Sequence, residues 1–101
     1  MENYWVTFRI KSDETYQRRY DDMLAAMIKI RASSWGEPTS FWLVKSNLDI
    51  GAFTQALAVP LNPRTDLLVV RYLAKDGSRY FGSPSHPDVL KQFLPHIIKS
   101  P

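Results

Sequence analysis

The chain has 101 residues, of which 45% are hydrophobic and 23% charged, with a formal net charge of +3 and no cysteine. That length supports one core, and this composition excludes a disordered chain. Without cysteine there is no disulfide framework, thiolate metal site or thiol nucleophile, and no apolar run approaches the roughly 18–20 residues that span a bilayer.

Residues 4–10 alternate: Tyr4, Val6, Phe8 and Ile10 take one face while Trp5, Thr7 and Arg9 take the other, which predicts a strand. Met1-Glu2-Asn3 passes directly into that strand with no basic leader or cleavage site, so a cytoplasmic location is expected. Ser12 or Asp13 is expected to cap a helix running to about Arg31. Its apolar stripe is Tyr16, Tyr20, Met23, Leu24, Met27 and Ile28. Ser33 to Trp35 predicts a short strand, and Gly36-Glu37-Pro38-Thr39 a reversal into a long strand over Ser40 to Lys45. Phe41, Trp42, Leu43 and Val44 are consecutive, so both faces of that strand are apolar and both need cover.

Ser46 or Asn47 is expected to cap a second helix with Ile50, Phe53 and Leu57 on one face. The two prolines of Pro60-Leu61-Asn62-Pro63 mark a loop, after which Leu67 to Leu73 reads as another strand. Asp76-Gly77 signals a hairpin returning through Arg79-Tyr80-Phe81. Pro87, with Ser85 or His86 as cap, opens a last helix that Pro95 ends.

Strand-helix-strand-strand-helix-strand predicts one α+β domain, a ferredoxin-like βαββαβ sandwich with an antiparallel sheet and two helices on one face. The core covers about residues 3–73, and a C-terminal hairpin and helix extend it over 74–101. The sheet face away from the helices carries Trp5 and either Phe41 or Trp42. The strand at 67–73 adds either Leu68, Val70 and Tyr72 or Leu67, Val69 and Leu73. So large an apolar patch needs a cover. It is supplied by the C-terminal segment folding back, by a homodimer packed sheet-to-sheet or edge-to-edge, or by both if that segment swaps.

Thirteen basic residues face ten acidic ones, which reads mainly as a mixed solvated surface and more weakly as a nucleic-acid footprint. Arg9 is the one charge on its strand, and it and Arg71 are the candidates for an anion or phosphate contact, although a strand arginine paired with Asp13, Glu37 or a partner carboxylate is the stronger reading. His86 and His96 are too few for a closed zinc site and read as loop or cap residues. Trp5, Trp35, Phe41 and Trp42 can stack on bases, but core or dimer packing is the stronger reading.

The strand Tyr4-Trp5-Val6-Thr7-Phe8-Arg9-Ile10, the helix start Thr15-Tyr16, the stretch Thr39-Ser40-Phe41-Trp42-Leu43-Val44 and Asp66-Leu67-Leu68-Val69-Val70 together carry a resemblance. Across residues 3–73 the chain resembles the SinR-like small proteins, within the ferredoxin-like group of the CRISPR adaptation subunit and the virulence-associated protein D toxins. The resemblance implies a homodimer. Some members of the wider group are metal-dependent nucleases or ribonuclease toxins, with a metal-binding aspartate at the end of the first strand. This chain has Arg9 at the matching position, which removes an oxygen ligand and adds a repelling charge. Asp13 and Asp66 are weak substitutes, and Asp13 reads more naturally as a helix cap.

The expectation is therefore a non-enzymatic homodimeric module acting through protein or nucleic-acid contacts, with no metal or cofactor and no membrane association. The alternatives are a metal-dependent nuclease or ribonuclease toxin, and an antitoxin-like or structural subunit of a larger complex.

Overall fold

In the computed structural model, which describes residues 1–74 and 76–101, the alternation of the first strand is realised as β1, Glu2–Arg9. Helix α1 (Tyr16–Ile30) follows, then the short β2 (Ser33–Trp35) and β3 (Phe41–Ser46). Next come α2 (Ile50–Ala58), β4 (Leu67–Tyr72), β5 (Arg79–Tyr80), α3 (Pro87–Phe93) and β6 (Ile98–Lys99). The first four strands form one antiparallel sheet in the order β2-β3-β1-β4. The protein is α+β, and no helix among the described residues is long and apolar enough to cross a membrane.

Register decides which alternate residues share a face, because directly opposed residues in an antiparallel pair point to the same side. Val6 lies opposite Trp42 and Val70, and Tyr4 opposite Val44 and Tyr72. All of these but the exposed Tyr72 belong to the main core with residues of α1 and α2, where Tyr4, Val6, Met23, Phe53 and Leu57 are fully buried. Trp5 lies opposite Leu43 and Arg71, Thr7 opposite Phe41 and Val69, and Leu43 opposite Trp35. The second face thus carries Phe41 rather than Trp42, and Leu67, Val69 and Arg71 rather than Leu68, Val70 and Tyr72.

The C-terminal segment covers part of that second face. Leu90, Phe93 and Leu94 bury themselves on Leu43, with Trp5, Trp35 and Tyr80 packed alongside. The expected hairpin at Asp76-Gly77 is corrected. Gly77 does take a left-handed turn, at φ 81°, but β5 does not return along β4. It pairs parallel with β6, Arg79 opposite Ile98, a partner supplied from beyond α3 that no local turn signal encodes.

Helix ends also differ from expectation. Thr15, not Ser12 or Asp13, occupies the α1 N-cap, without a side-chain cap bond. Asp13 instead accepts from the Thr15 N–H and hydroxyl in a local turn. Asp49, not Ser46 or Asn47, caps α2 by accepting from the Ala52 N–H at 2.8 Å. Ser46 is spent inside, donating to the Ile30 carbonyl and accepting from the Leu48 N–H. On α1 the buried line is Arg19, Met23 and Met27, a 3.6-residue stripe displaced from Tyr16 and Ile28, which are exposed.

Candidate functional site

The two candidate carboxylates, Asp13 and Asp66, come together, and Arg19 joins them. Its Nη2 meets Asp13 Oδ1 at 2.6 Å, its Nη1 meets Asp66 Oδ2, and its Nε donates to the Thr15 hydroxyl. The Arg19 and Asp66 side chains are only 8% and 1% exposed. Asp66 also accepts from the backbone N–H groups of Lys11 at 3.0 Å and Asn62 at 2.8 Å. Burial pushes the Asp66 carboxyl up, but the Arg19 guanidinium and these N–H groups outweigh it and hold it well below the usual range. Asp13 is lowered too, first by Arg19 and also by Thr15.

This cluster ties the end of β1, the start of α1 and the loop before β4 into one corner. A divalent cation there would have to displace Arg19, and a guanidinium repels the ion that two carboxylates alone would attract. Among the described residues no group of three or more His, Asp or Glu side chains is placed to hold a metal ion. His86 sits at the α3 N-cap, where its backbone N–H donates to Glu37, and His96 is exposed in the segment after α3.

The second sheet face is where the remaining candidates gather. Arg9 and Arg71 both point to it, toward opposite ends: Arg9 opposite Leu67, and Arg71 opposite Trp5. Neither has an ion-pair partner among the described residues, and both are exposed. Lys45 shares the face, and none of the residues that the four strands direct there is acidic. The C-terminal layer leaves the Arg9 end open, so Leu67 remains 51% and Val69 37% exposed. Because β4 is an edge strand among the described residues, this open half adjoins a row of backbone groups with no neighbouring strand among them. Trp5 and Phe41 contact each other edge-on at 5.7 Å beneath the covered half. Trp42 and Tyr72 lie on the opposite side, against Phe8 and Tyr4 respectively.

Glu37 fastens the covering layer. One carboxylate oxygen accepts from the Ser85 N–H at 2.7 Å, and the other from the His86 N–H at 2.9 Å and Trp35 Nε1 at 3.0 Å. These donors, the Ser85 N–H first, hold Glu37 below its ordinary pKa. Glu37, a turn residue and a candidate partner for Arg9, therefore clamps the start of α3 from a distant loop instead. Beside the clamp, between the sheet and the C-terminal layer, lies a cleft of about 390 Å³.

Two functional groups escaped the sequence reading. Arg19 carried a signal, since it stands four residues before Met23 and eight before Met27 on the buried line. Glu37 carried none, because its partners are 48 and 49 residues away. Compared with protein-family models and with curated proteins, the chain matches none.

Proposed function

We propose that the protein is a non-enzymatic homodimeric module of the SinR-like, ferredoxin-like type, cytoplasmic and acting by surface contact. The βαββαβ order over residues 2–72 and the sheet order β2-β3-β1-β4 support the topology. The observation that carries the contact reading is the open half of the second face. There Leu67 and Val69 form an exposed apolar centre flanked by Arg9 and Arg71, next to the free edge of β4. Apolar residues ringed by arginine suit a protein interface, and an unguarded edge strand suits pairing with a second copy. The Arg19 guanidinium already bridging Asp13 and Asp66 weighs against the metal-dependent nuclease alternative.

Sedimentation equilibrium tests the dimer. The wild type should have twice the 11.7 kDa chain mass, and Val69→Lys, which places a charge on the exposed edge, should be monomeric with an unchanged circular-dichroism spectrum. A monomeric wild type overturns the reading.

The absence of acidic residues on the strand positions facing this side, beside Arg9, Lys45 and Arg71, favours nucleic acid as the partner of the dimer. A gel shift with single-stranded RNA should weaken with salt and with Arg9→Ala, and no cleavage should follow on adding Mg²⁺. Metal-dependent cutting would remove the non-enzymatic reading.

A further inference from the structure

The covered half of the second face is roofed but not filled. The cleft there has Trp5, Trp35 and Phe41 on one wall and Tyr80, Leu90 and Leu94 on the other. Its volume of about 390 Å³ lies within the roughly 300–1,000 Å³ of clefts that enclose small organic ligands. Arg71 and Arg79, both exposed, are among the lining residues, and among the described residues no Asp or Glu lines it.

Those walls select a chemistry. A ligand rich in hydrogen-bonding groups, such as a nucleobase, would lose water along its edges and find few replacements beyond Tyr72, Ser78 and Tyr80 in a lining that is mostly apolar. An apolar body loses nothing there and gains the burial of its own surface. The two guanidinium groups suit a planar anion such as a carboxylate, which arginine grips through paired N–H donors.

We propose that this cleft binds a small organic carboxylate with an apolar body, seated between the tryptophans and Leu90 and Leu94 with its charged head on Arg71 and Arg79. The site shares Arg71 of β4 with the open patch of the dimer reading, but its roof and Arg79 belong to the C-terminal layer.

Tryptophan fluorescence reads occupancy, because Trp5 and Trp35 line the cleft while Trp42 is buried on the other face. Decanoate, at concentrations below micelle formation, should change the emission saturably, and decanol should bind about tenfold more weakly for want of the charged head. Arg71→Gln with Arg79→Gln should lower decanoate affinity by about the same factor and leave decanol unchanged. Val69→Lys should leave the titration intact, so failure of the dimer and failure of the cleft are read separately. An absence of saturable change, equal binding of acid and alcohol, or unaltered decanoate binding in the double variant would each overturn the proposal.

Discussion

The two faces of the sheet are made by the same strands, one residue out of step, and they are finished to different degrees. On the helix face the packing is deep except at Tyr72 on the edge: Tyr4 is fully buried and still donates its hydroxyl to the Leu48 carbonyl at 2.7 Å. On the other face, Trp5, Thr7 and Phe41 are only half-buried, and Leu67 and Val69 are exposed. The helix face is covered by α1 and α2, each joined directly to the strands it covers. The second face is covered by a segment from the far end of the chain, fastened by Glu37. Burial is therefore deeper on one side of the sheet, and the exposed aliphatic residues Leu67 and Val69 lie on the other.

The sharpest test of that division removes a large side chain from each side. Trp42→Ala, at a position 3% exposed in the helix-face core, should lower the unfolding free energy by about 3–5 kcal/mol. Urea denaturation measures it, and a loss as small as that from Phe41→Ala would break the comparison. Leu90→Ala, on the side of α3 that packs against Leu43, should cost about 2 kcal/mol, the low end for a buried leucine, because the layer can undock alone. Amide exchange should then rise in α3 and not in α1.

Gly36→Ala probes the turn between the faces. A Cβ there would sit 2.6 Å from Trp42 Cδ1, and the buried indole has little room to retreat, so about 1–3 kcal/mol should be lost. Asp49→Ala removes only the α2 cap and should cost about 1 kcal/mol in the same denaturation experiment.

The most delicate test is acid. Glu37, Asp13 and Asp66 all have folded pKa values below their unfolded ones. Their stabilisation is therefore complete above the ordinary carboxylate range, near pH 4, and is lost as pH falls through the lowered folded values. The Glu37 clamp should release the α3 layer in that window. Glu37→Gln should make α3 exchange fast already at neutral pH and remove most of its acid dependence, while α1 is unaffected.

Much of this architecture was legible in the residues. The alternation from Tyr4 to Ile10 fixed the parity of β1, and the Met23 and Met27 spacing fixed the buried side of α1. The run Phe41-Trp42-Leu43-Val44 could not be assigned a parity, because consecutive apolar residues satisfy either face. Only its pairing with β1, Trp42 opposite Val6, decides it. Arg19 was overlooked because a charge on a buried stripe is legible only once its carboxylate partners are known to converge. The β5–β6 pair was beyond reach for a related reason: parallel pairing across α3 leaves no local turn signature.

The central claim is that a second copy meets the open half of the second face along β4. Hydrogen–deuterium exchange at increasing protein concentration tests it directly. The β4 N–H groups that do not bond to β1 should become protected as concentration rises, together with the β1 end near Arg9, while α1 and α2 stay constant. Exchange at β4 that is fast and the same at every concentration would contradict the account.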